Sequence, residues 1–256
     1  MKRLAVFSNA IPDAWLAPCG VEVVRQVDYG RYAPVPLRAG MCAHLAYLPG
    51  LLEDVDGIVL ATTCDQMRRG AEWLGDNARV FLFDVPSAPC DALLNLERAR
   101  LERWIRALKS SGKVAHHVPW CRFGEDAEPH PFSIGIIGGH FCGDVENVRR
   151  FFAQRAVRIG LWGCEGGECV GDISERPNNA FYERLNRLVQ ERNLDGLIVV
   201  RTTWCDLWRA AFARVQETLA VPVTEWVFDG PPFPDARSVT RLEAFCELLA
   251  TRLQNK

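Results

Sequence analysis

Short apolar runs alternate with amphipathic segments along most of the chain, a pattern typical of parallel α/β architecture. Eight runs are predicted to form strands: Leu4–Ser8, Val21–Val27, Gly57–Ala61, Val80–Asp84, Ser133–Ile137, Val157–Trp162, Gly196–Arg201 and Val223–Phe228. Apolar residues at helical spacing predict helices at Asp91–Ser110, Val145–Gln154, Asn178–Arg192, Leu207–Leu219 and Ser238–Leu253. The sequence therefore predicts central parallel sheets with helices packed on their faces.

The same order of features occurs twice in the sequence. Each copy contains Asp-Gly, a buried strand, Thr-Thr, Cys-Asp, an amphipathic helix and a strand that ends in Phe-Asp-x-Pro. The first copy runs from Asp56 to Pro86 and the second from Asp195 to Pro231. We interpret this as an internal duplication of a βαβ-based unit. The predicted fold is two similar flavodoxin-like α/β/α domains with parallel sheets, residues 1–115 and 132–256, joined by a polar linker at 116–131.

Cys64 and Cys205 occupy equivalent places in the two copies, where a strand gives way to a helix. Ligands of open parallel sheets bind beyond the carboxyl ends of the strands. The N–H groups and dipole of a helix N-terminus stabilise a thiolate, so we expect a lowered thiol pKa and a preference for metal. Two facing domains would present both cysteines to one cleft. In the alternative interpretation, Asp65 and Asp206 cap their helices and both cysteines only pack.

Composition narrows the function classes. The chain has 48% hydrophobic and 24% charged residues and a net charge of −2, which gives no electrostatic signature of nucleic-acid or anionic-membrane binding. No apolar run reaches the roughly 18 residues of a membrane helix, and the N-terminus is predicted to be a strand rather than a signal peptide. We therefore expect a cytoplasmic protein, whose ten cysteines are not structural disulfides. Cys246, on an apolar helix face, is predicted to be a core residue.

Several segments resemble the cluster-binding subunits of the 2-hydroxyacyl-CoA dehydratase and benzoyl-CoA reductase family. The most specific of them is Val55–Arg69, which contains Thr-Thr-Cys-Asp. The others are Phe81–Pro86, Pro34–Leu37 with Cys42 a few residues later, Cys205-Asp206, and the closing Arg241–Phe245. The resemblance extends over nearly the whole chain, although typical members of the family are considerably longer.

The resemblance implies a 4Fe–4S cluster held by three cysteines of each subunit, which by motif fall on Cys42, Cys64 and Cys205. It also implies that one iron is left open for substrate. An ATP-dependent activator, itself an iron–sulfur protein, would deliver one electron that converts the thioester of a 2-hydroxyacyl-CoA into a ketyl radical, which then loses water. The subunit would act as a homodimer or beside a paralogous subunit. No catalytic side chain is assigned.

Surplus cysteines leave the size of the cluster open. Some relatives of these dehydratases carry a double-cubane cluster, two linked 4Fe–4S units, for ATP-driven reduction of small molecules. Cys142, Cys164 and Cys169 follow predicted strands in glycine-rich turns and are candidate extra ligands. The alternative is that these cysteines merely occupy tight turns. Zinc is the competing metal, but the sequence has none of the Cys-x2-Cys pairs that closed zinc sites draw on.

The function predicted from these features is an iron–sulfur subunit of a 2-hydroxyacyl-CoA dehydratase-like or reductase system, performing low-potential one-electron chemistry in an interdomain cleft. A non-catalytic cluster carrier, sensor or assembly protein is the alternative, favoured by the short chain. A double-cubane reductase is a third interpretation. Visible absorption and iron content distinguish all three from a zinc protein.

Overall fold

A computed structural model shows an α/β chain with two parallel four-stranded sheets. The structure describes residues 1–8, 10–25, 32–86, 88, 90–110, 132–138, 145–155, 157–163, 179–227 and 235–254. The predicted α/β class with parallel sheets is confirmed. The proposed linker at 116–131 lies outside the described residues, so the domain boundaries stay a prediction.

The first sheet belongs to the N-terminal half and has the strand order β2-β1-β3-β4. Its strands are β1 (Lys2–Val6), β2 (Val21–Val24), β3 (Gly57–Ala61) and β4 (Val80–Phe83). Its helices are α1 (Asp13–Leu16), α2 (Leu48–Leu51), α3 (Asp65–Leu74) and α4 (Asp91–Ala107), with 3-10 turns at Ala17–Cys19 and Ala43–Tyr47. The short helices were not predicted, because four residues carry too little periodicity to be recognised.

The second sheet belongs to the C-terminal half and has the order β6-β5-β7-β8. Its strands are β5 (Phe132–Gly138), β6 (Val157–Gly163), β7 (Gly196–Arg201) and β8 (Val223–Val227). Its helices are α5 (Val145–Ala153), α6 (Asn179–Glu191), α7 (Asp206–Thr218) and α8 (Ala236–Gln254). All eight predicted strands and all five predicted helices form, with ends that differ by a few residues.

The two sheets share their pairing register as well as their strand order. Leu4 pairs with Gly57 in the first sheet, and Ile134 pairs with Gly196 in the second. The outer pairs follow the same offset: β3 and β4 align at Ile58 and Val80, and β7 and β8 align at Leu197 and Val223. The third strand is one residue longer in the second half, ending at Arg201 against Ala61, and in both halves it leads directly into the repeated Thr-Thr.

The two Asp-Gly pairs have the same structural role in each half. The Asp56 carboxylate accepts a 2.7 Å bond from the Arg3 N–H, and the Asp56 N–H donates to the Arg3 carbonyl. Asp195 makes the same two bonds with Ser133. A Cβ on the glycine that follows would lie 2.6 Å from Trp104 of α4 in the first half and 2.9 Å from Phe245 of α8 in the second. The aspartate thus joins two strands, and the absence of a side chain on the glycine lets the last helix of its half pack closely against the strand.

The core shows how the halves meet. Alternate residues of each third strand face opposite sides, so β3 packs on α4 through one face and on α3 and the Ala43–Leu51 segment through the other. In the second half β7 packs likewise on α8 and on α7. One buried cluster contains side chains of both halves.

Within the described residues, none of the helices combines the length and apolar character that crossing a membrane requires.

Candidate functional site

Cys64 stands at the carboxyl end of β3 as the N-cap residue of α3. The backbone N–H groups of Gln66 and Met67, in the first turn of the helix, lower the pKa of its thiol without forming a capping hydrogen bond to the sulfur. The Met67 N–H also donates to the Cys64 carbonyl at 3.0 Å. N–H groups and the dipole at a helix N-terminus favour negative charge nearby, so they favour a thiolate at this position. Met67 is 1% exposed and packs in the core, which anchors the first turn. The expected position of Cys64 at a strand-to-helix turn is what the structure shows.

Cys205 has the corresponding position in the second half, as the N-cap residue of α7 after β7. Here the backbone N–H of Trp208 lowers the pKa of the thiol, again without a capping hydrogen bond to the sulfur. The Trp208 side chain is 1% exposed and packs among the residues between β7 and α6, so it fixes the start of α7. Truncating a buried tryptophan costs about 3–5 kcal/mol, so the packing of Trp208 contributes strongly to holding α7 in place.

Cys42 is placed beside them by Gln66 of α3. The Cys42 N–H donates to Gln66 Oε1 at 2.8 Å, and Gln66 Nε2 donates to the Gly40 carbonyl at 3.2 Å. Cys42 is 5% exposed and begins the 3-10 turn Ala43–Tyr47. The buried amide of Gln66 thus ties the segment carrying Cys42 to the helix that begins at Cys64.

The Cys42 sulfur also touches the other half of the chain. Cys42 Sγ lies 3.1 Å from Thr202 Oγ1, and this contact is buried. Thr202 is 3% exposed and comes directly after β7. Cys42 therefore contacts the C-terminal half at the strand end that leads to Cys205.

Electrostatic interactions connect all three thiols. Burial raises the pKa of Cys205 to about 12; the Trp208 N–H opposes this rise, and charges on Cys64 and Cys42 add to it. Burial also raises the pKa of Cys64, with Asp206 of the other half among the smaller contributions. Cys205 thus lies within electrostatic range of both Cys42 and Cys64.

The sequence-based expectation of lowered thiol pKa values is wrong for both strand-end cysteines. The helix N–H groups do lower each pKa, as expected, but removal of the sulfur from water raises it by more. Burial thus favours the neutral thiols over the thiolates. A bound cation would reverse this balance, since metal coordination favours the thiolate.

Two arginine side chains lie near the segments that carry the three cysteines, and each is paired with a carboxylate. Arg201 forms a half-buried ion pair with Glu225 of β8 and lowers the pKa of Cys205. Arg69 pairs with Asp65 at 3.0 Å across one turn of α3 and reaches the Gly40 carbonyl at 3.3 Å. The contact of Arg69 with Gly40, like that of Gln66 with the same carbonyl, ties α3 to the segment before Cys42.

Sequence reasoning missed Gln66 and Thr202. Gln66 lies two residues after Cys64, and Thr202 belongs to the repeated Thr-Thr, so both were inside the motif but had no predicted role. The core assignment of Cys246 is confirmed, since it is 7% exposed in the shared cluster. The candidate ligands Cys142, Cys164 and Cys169 lie outside the described residues, and their role stays a prediction.

Among the described residues, no three His, Cys, Asp or Glu side chains are arranged to hold a metal ion. A single tetrahedral ion with bonds of about 2.3 Å brings its sulfur ligands to roughly 4 Å from one another. A four-iron cluster is larger and carries its cysteines on different corners, so it requires sulfurs spaced more widely.

The class defined so far is an α/β chain with two parallel sheets and cysteines at matching strand ends. No family model and no curated protein matches the sequence. The crystal structure of ZnuA aligns over 98% of both chains at 14% identity, with a TM-score of 0.27. The glycosyltransferase SsfS6 of Streptomyces sp. SF2575, complexed with thymidine diphosphate, aligns over 98% of this chain and 96% of that chain at 10% identity, with a TM-score of 0.21. Neither similarity carries a functional argument.

Proposed function

We propose that this chain binds an iron–sulfur cluster, of the 4Fe–4S type, through Cys42, Cys64 and Cys205. The observation that supports the proposal is the buried contact of Cys42 with Thr202, three residues before Cys205, together with the influence of Cys42 and Cys64 on the pKa of the Cys205 thiol. Thiolates are the ligands of iron–sulfur clusters, and three of them leave one corner of a four-iron cluster open.

The surrounding residues suit this task. The first-turn N–H groups of α3 and α7 stabilise negative charge on two of the sulfurs, and Gln66 positions the third. Burial of Cys42 keeps water from its sulfur, which protects such sites from hydrolysis and influences their reduction potential. When bound, the cluster would supply one electron at low potential.

The proposed system is a 2-hydroxyacyl-CoA dehydratase-like or reductase system, with an ATP-driven iron–sulfur activator as electron donor and an acyl-CoA as substrate. The resemblance at Val55–Arg69 supports this assignment. Acyl-CoA binding, measured by calorimetry with and without reduction of the cluster, separates an enzyme subunit from a cluster carrier. If the cluster-loaded protein binds no acyl-CoA in either the oxidised or the reduced state, the chain is a cluster carrier and not an enzyme subunit.

We also propose that the two halves are duplicated flavodoxin-like units. The strand order 2-1-3-4 is that of the flavodoxin-like fold without its fifth strand. Equal registers, equivalent Asp-Gly contacts and the matching positions of Cys64 and Cys205 support a common origin.

Iron content tests the metal proposal. Protein purified without oxygen is expected to be brown and to contain iron and acid-labile sulfide in equal amounts. Cys42→Ala, Cys64→Ala and Cys205→Ala are each expected to lose most of this iron, because each removes one of three ligands. The measurements are visible absorption, iron and sulfide analysis and electron paramagnetic resonance.

Cys90→Ala is the matched control. Cys90 is also the N-cap residue of a helix, α4, and it is also followed by an aspartate. Its variant is expected to keep wild-type iron, because the proposal depends on the convergence of three cysteines and not on the Cys-Asp motif. A colourless wild-type protein with stoichiometric zinc would overturn the proposal. Iron retained in any of the three ligand variants would remove that residue from the set.

A further inference from the structure

The contact between Cys42 and Thr202 has a defined direction once the cysteine binds a metal. In a free thiol either group could donate, but a thiolate has no proton, so the Thr202 hydroxyl must donate to the sulfur. The distance of 3.1 Å is short for a hydrogen bond to sulfur, and both residues are buried. Water therefore does not compete for this bond.

We propose that Thr202 is a positioning residue that tunes the cluster, a role that rests on the proposed function. Its hydroxyl draws electron density from the Cys42 sulfur. Hydrogen bonds to cluster sulfurs stabilise the reduced form, in which the negative charge is greater, and so raise the reduction potential. The C-terminal half thereby sets the potential of a cluster that is partly held by the N-terminal half.

The fold restrains Thr202 at this position. Its carbonyl accepts the Cys205 N–H at 3.0 Å and an Arg201 guanidinium N–H at 3.3 Å. Arg201 is held in turn by Glu225 of the neighbouring strand. The backbone that presents the hydroxyl to Cys42 is thus the same turn that presents Cys205.

The two halves differ at the corresponding hydroxyl. Thr62, directly after β3, donates to Asp84 Oδ1 at 2.8 Å and accepts the Val85 N–H at 2.8 Å. It therefore stabilises its own strand end instead of contacting a sulfur. This difference makes Thr62 a matched control for Thr202.

The test compares reduction potentials of the cluster-loaded protein, measured by anaerobic spectroelectrochemistry. Thr202→Val keeps the shape and removes the donor, so its potential is expected to shift to a more negative value with iron content unchanged. Thr202→Ser restores a hydroxyl and is expected to return the potential toward that of the wild type. Thr62→Val is expected to leave the potential unchanged, because its hydroxyl does not reach the cluster ligands.

The outcomes separate this inference from the proposed function. A loaded Thr202→Val protein with the wild-type potential overturns the tuning role and leaves the cluster proposal standing. Absence of iron from the wild type overturns the cluster proposal itself. If Thr202→Val does not fold, Thr202→Ala is measured in its place. Its reduction potential is expected to shift in the same negative direction, and an unchanged potential would overturn the tuning role.

Discussion

Cys205 and Cys246 show that a raised thiol pKa has different meanings in different surroundings. Burial raises the pKa of Cys205 to about 12 and that of Cys246 to about 11. The charges that reach Cys205 include two other thiols, whereas those that reach Cys246 come from an Arg155–Glu243 ion pair and from Glu247. The identity of the neighbours, and not the size of the shift, distinguishes a candidate ligand from a core residue.

The raised pKa of Cys246 predicts its titration behaviour. Because burial disfavours the thiolate, its thiolate fraction in the folded protein should rise about tenfold per pH unit up to about pH 11. The Cβ chemical shift of Cys246, measured by nuclear magnetic resonance in protein labelled with 13C at cysteine, should therefore keep changing between about pH 8.5 and about pH 10.5. In urea-unfolded protein the change should level off above the ordinary thiol pKa of about 8.5. A folded-state plateau at that same pH would contradict the burial argument.

At the residue scale, the sequence predicts three cysteine ligands but not the contacts that hold their segments in the fold. The repeated Cys-Asp pointed to Cys64 and Cys205, and the resemblance added Cys42. Gln66 and Thr202 could not be predicted, because their roles depend on contacts with Cys42 across 24 and 160 residues of chain. The sign of the thiol pKa shifts was unpredictable for a related reason: burial at a strand end is a property of the packed molecule.

The Asp-Gly elements combine strand pairing with helix packing. The aspartate supplies both an acceptor and a donor to the first strand of its half, and the glycine allows the final helix to approach. Asp56 is buried and Asp195 half-buried, and such groups require compensation, because an unsatisfied buried polar group costs about 1–3 kcal/mol. The recurrence of both residues therefore has a structural cause, separate from the chemistry at the other end of the strand.

We predict that Asp56→Ala and Asp195→Ala each lower the free energy of unfolding by about 1–3 kcal/mol, because each leaves a strand N–H without its acceptor. Asp56→Asn and Asp195→Asn should cost less, since the amide oxygen can still accept. Urea unfolding monitored by circular dichroism measures these changes. Asp76→Ala, at an exposed position, serves as control and should stay within about 0.5 kcal/mol of the wild type. Equal stability of the alanine variants and the control would contradict the proposed role.

Element prediction succeeded where the pattern was long and failed where it was short. Strands with continuous apolar runs, such as β3 and β7, were predicted with their observed ends. The α2 helix and the 3-10 turn before it were missed, although Cys42 lies at their start. A segment whose conformation depends on a glutamine side chain from another helix has no local signature to recognise.

In the molecule as a whole, the candidate site is divided between the two halves of the chain. Cys42 and Cys64 belong to the half that contains the first sheet, and Cys205 belongs to the half that contains the second. A ligand bound by all three exists only when both halves are folded and in contact. Binding to the native state alone stabilises that state, so a common ligand should couple the halves energetically.

Hydrogen exchange of the whole protein tests this coupling. Loading the cluster is expected to slow amide exchange together in residues 40–67 and 202–209, which contain the three cysteines and the first turns of α3 and α7. The physical reason is that a shared ligand suppresses the local opening of every segment that holds it. In Cys205→Ala both regions should lose this added protection, although only one of them carries the substitution. Protection gained in the N-terminal region alone would show that Cys205 does not hold the same ligand as Cys42 and Cys64.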